Sequence, residues 1–268
     1  MKTTSYMHFT HPYFLEPTNP VKVNLIGAGG TGSQMLTCLA RMHHTLRQLG
    51  HPGFQVTTFD PDKVSDANLG RQLFAESELG MNKGVALTNR INRFFGTDWR
   101  ATENLFAWTP DDRLPAHSEA NLFISCVDTA QARFEIAEIL QALANRNALS
   151  RDNALYWMDC GNSRSSGQVI LSTVKPIRQP RSELYITVDS LPQVTTEFKE
   201  LLQSQDESSE PSCSLAEALE KQDLFINSTI ATMGASLLFS LFRHAMTAKR
   251  GLFHNMDTGV TQPLSVAA

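Results

Sequence analysis

At 268 residues, with 41% hydrophobic and 19% charged side chains, the chain can bury the core of an α/β domain without disulfide or metal staples. A net charge of −4 and a pI near 6.1 argue against broad nucleic-acid binding driven by phosphate neutralisation. Four scattered cysteines (Cys38, Cys126, Cys160 and Cys213) form no CxxC pair, which gives neither a zinc ribbon nor a disulfide framework and fits a reducing cytoplasm.

Residues 1–20, rich in His, Pro, Thr and aromatics, read as an irregular arm, and with no continuous apolar run they carry no signal peptide. KVNLIG (22–27) reads as a first strand, and TGSQMLTCLARMHHTLRQL (31–49) as a helix broken by His51-Pro52-Gly53. FQVTTFD is a second strand ending at Asp60, and 78–95 a second helix. NLFISCVD (121–128) is a buried strand, followed by the helical pattern AQARFEIAEILQALAN. LYWMDCG (155–161) and the alternating GQVILSTV (167–174) add two strands. QSQDESSEPSC (203–213) is the most polar stretch and reads as an exposed crossover loop leading to a C-terminal helix. Within that helix IATMGASLLFSLF is interrupted by Thr, Gly and Ser and is too short to span a membrane comfortably, so a buried helix is expected. Strands alternating with helices predict one domain over 1–268. Its fold would be a Rossmann-like, doubly wound, mostly parallel sheet with helices on both faces and ligands at the carboxyl ends of the strands.

Chemistry concentrates at those ends. Gly27, Gly29, Gly30 and Gly32 lie between the first strand and its helix, where glycine permits close backbone approach and a helix N-terminus attracts an anion. The same glycines would serve a merely tight turn. Asp60, ending the second strand, is placed to bind ribose hydroxyls of NAD or ATP equally well, or to be an ordinary turn aspartate. Beyond it come Asp62, Asn68, Arg71, Gln72 and Lys83. A redox domain has no use for such a set, whereas a triphosphate needs cations to neutralise it and the leaving pyrophosphate. Each cation taken alone would more often be a solvated surface charge, and it is the ordered set that points to phosphate. Asp128, at the end of the next strand, suits Mg²⁺ held against phosphate oxygens, or an N-cap for the following helix.

GAGGTGS, FDPDKVSDANLGRQ, NKG and SCVDTAQAR, in that order, resemble the ThiF/MoeB superfamily, which includes the ubiquitin-activating enzymes. DCGNSRSSGQV is similar to a further glycine-bearing segment of that family, and the likeness covers residues 20–175. PSCSLAEALEKQDLFINSTIATMGASLL resembles the ThiF-type proteins of PRTRC gene systems. The resemblance implies ATP- and Mg²⁺-dependent adenylation of the C-terminal carboxylate of a small ubiquitin-like or sulfur-carrier protein by a homodimer. Gly27, Gly29, Gly30 and Gly32 would line the nucleotide and Asp60 would take the ribose, with Asp62 beside it. Asn68, Arg71, Gln72 and Lys83 would surround the phosphates, and Asp128 would bind the metal. Relatives with structural zinc carry two CxxC pairs, so no zinc is expected here. An arginine that family members supply from a partner's N-terminal segment has no counterpart in residues 1–20.

Cys213 precedes the capping-box pattern Ser214-Leu215-Ala216-Glu217, where a helix N-terminus lowers a thiol pKa. It reads either as a thioester acceptor or as an incidental cysteine among Asp206, Glu207 and Glu210. Cys38, Cys126 and Cys160 are expected in the core, and His8, His11, His43 and His44 in surface or packing roles. Two rivals remain: an NAD-dependent oxidoreductase resting on the glycines and Asp60, and a nucleotide-binding scaffold that holds a carrier without activating it.

Overall fold

The computed structural model describes residues 5–109, 114, 118–145, 152–205 and 222–267. In chain order its elements are β1 (Ser5–Phe9), α1 (Pro12–Leu15), β2 (Val21–Ile26), α2 (Gly30–Gln48), β3 (Phe54–Phe59), α3 (Lys83–Phe95) and β4 (Arg100–Thr102). There follow β5 (Leu122–Ser125), α4 (Ala130–Ala144), β6 (Tyr156–Asn162), β7 (Ser166–Thr173), β8 (Tyr185–Thr187), α5 (Val194–Glu197) and α6 (Lys199–Gln205). The chain closes with α7 (Ile226–His244), β9 (Met246–Thr247), β10 (Lys249–Asn255) and β11 (Val260–Ser265).

Eight strands form the main sheet in the order β11-β10-β7-β6-β5-β2-β3-β4. The run from β6 to β4 is parallel, and β7, β10 and β11 extend it antiparallel. The expected doubly wound, mostly parallel architecture is therefore present, with an antiparallel extension on one edge. Strand alternation sends Val23, Leu25, Ile124, Met158 and Leu171 into one core beneath α2, α3 and α7. Ile26, Phe123, Trp157 and Ile170 go into a second core beneath α4, α5 and α6.

Helix α2 buries Met35, Leu36, Leu39, Met42 and Leu46, spaced along one face. α7 crosses it closely, because a Cβ on Gly234 would lie 3.1 Å from Met35 Cε and 3.3 Å from Met158 Sδ. The apolar stretch of α7 is thus a core helix, and among the described residues no helix is long and apolar enough to cross a membrane.

Four expectations need correction. The arm is not wholly irregular: β1 pairs with β8 and β9 in a small sheet, and α1 packs Phe14 into the core. The helix expected from 78 begins at Lys83, because Asn82 caps it and Glu76–Glu78 forms a separate 3₁₀ turn. The loop expected from 203 starts within α6, and residues 206–213 lie outside the described residues. The last helix does not end the fold, since β10 and β11 return as a hairpin against β7.

The arm is fastened by His8, fully buried, whose Nδ1 lies 2.7 Å from Val188 O and Nε2 2.9 Å from Tyr156 Oη. One neutral tautomer satisfies both contacts, donating from Nδ1 and accepting at Nε2. The His11 N–H donates to the same Tyr156 Oη (3.0 Å). Burial is the main reason that His8, His11, His43 and His51 titrate below the ordinary imidazole value of 6.5, with Asp189 partly opposing at His8. The unfolded chain then binds protons that the folded chain refuses, so stability falls as pH drops below 6.5. Asp60, raised by burial, contributes in the opposite sense, through a window that opens at its ordinary value of 3.8. Urea titrations should therefore show the midpoint falling between neutral and mildly acidic pH, and His8→Gln should flatten that slope.

Candidate functional site

The carboxyl ends of β2, β3, β5 and β6 open into one cavity of about 780 Å³, closed on its far side by β10 and β11. It lies where strand order reverses between β2 and β5, the position at which such sheets bind ligands. Gly27, Gly29, Gly30, Asp60, Asp62, Arg71, Gln72, Lys83 and Asp128 all line it. Gly32 and Asn68 do not, and Cys213 lies outside the described residues.

The glycines have distinct reasons. Gly27 has a φ of +90°, and a Cβ there would lie 2.6 Å from Cys126 O. Gly32 supports the turn from beneath, for its Cβ would stand 1.9 Å from Gly27 O. A Cβ on Gly30 would overlap the Asn227 carboxamide at 2.5 Å, whereas one on Gly29 would meet nothing nearer than Gln72 Nε2 at 3.9 Å. Helix α2 has no side-chain N-cap, which leaves its first N–H groups available to an anion at the cavity wall.

Asp60 is buried, and its Oδ2 accepts from the Ala28 N–H (2.6 Å) while Oδ1 accepts from the Asp62 N–H (2.9 Å). Burial raises its pKa, against the pull of these N–H groups and of Lys83. Lys83 Nζ pairs with Asp62 Oδ2 at 2.9 Å, and their side chains are 10% and 64% exposed respectively. The ammonium is thus the buried partner, and its carboxylate stands at the rim. Asn82, quoted in the sequence but given no role there, fixes this corner. Its Oδ1 accepts from the Val85 N–H (2.9 Å), and its Nδ2 donates to Asp60 O (2.7 Å) and Asp62 O (3.1 Å). Asn68 instead closes a 3₁₀ turn, its Oδ1 accepting from Ser65 N–H and Oγ–H at 2.9 and 3.1 Å.

Arg71 donates from Nη1 to Gln222 Oε1, yet among the described residues its buried Nε has no partner, nor has the buried Oε1 of Gln72. Burial lowers the Arg71 pKa. From Gln222 a polar chain runs back to the glycine turn. Asn227 Nδ2 donates to Gln222 Oε1 (3.0 Å), and Thr31 Oγ1 lies 2.9 Å from Asn227 Oδ1 and 2.8 Å from Asn162 Oδ1. Sequence reading assigned nothing to Gln222, Asn227 or Asn162, because their meeting is made by the fold.

Asp128 is exposed at the cavity edge. The N-cap of α4 is Thr129, whose Oγ1 accepts from the Ala132 N–H at 3.2 Å, so the capping alternative for Asp128 falls to its neighbour. The loop carrying Asp128 is clamped by Arg133, which donates from Nη2 to Val127 O (2.8 Å) and from Nη1 to Thr129 O (2.9 Å). Arg133 Nε meets both oxygens of Asp159 at 3.0 and 3.1 Å, Ser125 Oγ donates to Asp159 Oδ1 (2.7 Å), and Trp157 Nε1 donates to Ser125 Oγ (2.8 Å). The sequence carried a signal for this network, an aspartate inside the apolar run LYWMDCG that must be paired if buried.

The buried ammonium, the orphaned guanidinium nitrogen and the bare helix N-terminus fit a polyphosphate. Among the described residues no cluster of three or more His, Cys, Asp or Glu forms a metal site. A single carboxylate does fit Mg²⁺, which takes one or two carboxylates and draws its other ligands from phosphate and water.

The model of the ThiF family matches residues 7–261, and the chain belongs to that family. Ubiquitin-like modifier-activating enzyme 5 of Drosophila virilis is 27% identical over 166 residues, covering 58% of this chain and 36% of that protein. The Drosophila persimilis protein of the same description is 28% identical over 166 residues, covering 58% and 38%. The chain thus spans well under half the length of these relatives. Among solved structures, Escherichia coli MccB with ATP superposes with a TM-score of 0.55 at 14% identity, covering 94% of this chain and 65% of that one. MccB with MccA gives 0.54 at 16%, covering 91% and 64%. These structural likenesses bear on the fold.

Two outcomes follow for stability. Gly32→Ala forces a methyl into Gly27 O and should lower the unfolding free energy by at least the ~1–3 kcal/mol typical of overpacking, while Gly29→Ala should be nearly neutral in the same melt. Asp159→Ala leaves Arg133 buried and unpaired and should cost about 3–5 kcal/mol in denaturant titration.

Proposed function

We propose that the protein is an ATP-dependent adenylyltransferase that activates the C-terminal carboxylate of a small ubiquitin-like or sulfur-carrier protein. The observation that carries this reading is the meeting, in one cavity, of Lys83, of Arg71 with its unpartnered Nε and of Asp128 around the bare N-terminus of α2. Family membership and the likeness to activating enzymes support it. The resemblance of residues 211–238 supports a finer assignment to the ThiF-type proteins of PRTRC systems, and a cytoplasmic homodimer belongs to the same proposal.

The nucleotide lies along the glycine turn, with Asp60 at the ribose hydroxyls and Asp62 holding Lys83 in place. Arg71, Gln72 and Lys83 face the phosphates, and Asn68 supports them by closing the turn that precedes Arg71. An attacking carboxylate is already ionised, so no general base is needed. Its oxygen bonds to the α-phosphorus as the bond to the bridging oxygen breaks, giving an acyl-adenylate and pyrophosphate. Arg71 and Lys83 screen the approach of one anion to another and take up charge on the departing pyrophosphate. Asp128 would hold Mg²⁺, which supplies further neutralisation of the phosphates. Onward transfer of the carrier to Cys213 as a thioester belongs to the same proposal. An NAD-dependent reaction leaves the Arg71 and Lys83 pair without employment.

ATP–pyrophosphate exchange in the presence of candidate carriers ending in glycine tests the reading. Exchange should require the true carrier, vanish in Asp128→Ala and fall about 10²–10³-fold in Arg71→Ala or Lys83→Ala. Carrier binding without exchange would replace it with the scaffold reading.

A further inference from the structure

Two thiols meet on the floor of the cavity, and the adenylation reading uses neither. β5 and β6 are parallel neighbours with Ser125 opposite Asp159, which makes Cys126 and Cys160 the next pair. The Ser125–Asp159 hydrogen bond lies on the α4 face of the sheet. Alternation therefore turns both cysteines to the opposite face, beneath α2 and α7. Their surroundings agree: a Cβ on Gly32 would stand 3.4 Å from Cys126 Cβ, and one on Gly234 would stand 3.4 Å from Cys160 Sγ. Both cysteines are free and both line the cavity, Cys126 half-buried and Cys160 fully buried. Hydrogen bonding to Cys126, together with burial, holds the Cys160 thiol well above its ordinary range. Neighbouring strands stand about 4.8 Å apart, inside the ~4.4–6.8 Å between α-carbons that disulfides span. Cys126 was expected in the core; it lies just past the end of β5, where the strand opens into the cavity.

We propose that Cys126 and Cys160 form a thiol-modification site in which a peroxide drives closure of a reversible disulfide beneath the glycine turn. The Cys126 sulfur, the one reached from the cavity, attacks the peroxide O–O bond and becomes a sulfenic acid, and the departing hydroxide takes the Cys126 proton and leaves as water. The Cys160 sulfur then displaces the sulfenic hydroxyl, which leaves as water with the Cys160 proton. In sum two thiols lose two electrons and two protons, and one hydrogen peroxide becomes two waters. Closure acts where it matters, since the Cys126 carbonyl abuts Gly27 and its chain continues into Val127 and Asp128. The oxidised protein therefore loses nucleotide affinity, and bound nucleotide shields Cys126; these two consequences rest on the adenylation reading, whereas the disulfide does not.

The test uses the full chain carrying Cys38→Ser and Cys213→Ser, which leaves Cys126 and Cys160 as its only thiols. Hydrogen peroxide should remove two hydrogen masses from the intact protein, with peptide mapping joining 126 to 160 and dithiothreitol reversing the change. Adding Cys160→Ala should instead trap a dimedone-reactive sulfenic acid on Cys126. Peptide mapping of the oxidised wild-type chain serves equally if the substitutions disturb folding. Two free thiols, or two independently over-oxidised ones, would overturn the proposal. Slower closure in the presence of MgATP would support both readings. Closure at an unchanged rate would count against the nucleotide site while leaving the disulfide established.

Discussion

The Arg133–Asp159 ion pair is the constraint from which the site's geometry follows. Both side chains are almost wholly out of solvent, at 6% and 1% exposure, so neither tolerates the loss of the other. Arg133 satisfies its remaining donors on the carbonyls of Val127 and Thr129, and Asp159 accepts from Ser125. A loop that would otherwise drift at the end of β5 is thereby fixed to β6 and α4 from three sides. Asp128 rides on that loop with its carboxylate exposed to the cavity. The clamp thus separates two needs, a rigid backbone and a free carboxylate, that one residue could not meet alone.

The same division runs through the rest of the cavity. Asp60, Asn82, Asn68 and Thr31 spend hydrogen bonds on the protein, which fixes the loops after β2 and β3. Arg71 Nε and Gln72 Oε1 find no partner among the described residues, and a buried, unsatisfied group costs about 1–3 kcal/mol. A ligand that satisfies them recovers part of that cost on binding. Lys83 sits between the two classes, because it is paired with an Asp62 that is largely in water and hence screened. The positive charge is held in position by a partner that solvent screens.

Much of this was legible in the sequence because the parallel strands are buried on both faces and read as apolar runs. KVNLIG, FQVTTFD, NLFISCVD and LYWMDCG each fall on an observed strand. The C-terminal hairpin was not legible. KRGLFHN and VTQPLS are an edge pair, with Pro263 on the outer strand and Gly251 where a Cβ would lie 2.2 Å from Val169 O. Such strands carry little hydrophobic signal. In the site, the ordered motif gave most of the cavity-lining residues, but it could not distinguish a residue that faces a ligand from one that holds the wall. Gly32 proved to underpin Gly27, and Asn68 to close a turn. Thr129, not Asp128, caps the helix, a difference of one residue that sequence periodicity does not resolve. Arg133, Gln222 and Asn227 were silent because the contacts that place them in the site, to Asp159, Arg71 and Thr31, are remote in sequence.

The most direct test of a polyphosphate site built from these parts is a crystal structure of the protein soaked with Mg²⁺ and a non-hydrolysable ATP analogue. Density for the phosphates at the N-terminus of α2, beside Arg71 and Lys83 with the metal on Asp128 and the ribose on Asp60, is the expected result. A nucleotide bound elsewhere, or one whose phosphates leave Arg71 on Gln222 and Asp128 without a metal, would contradict it.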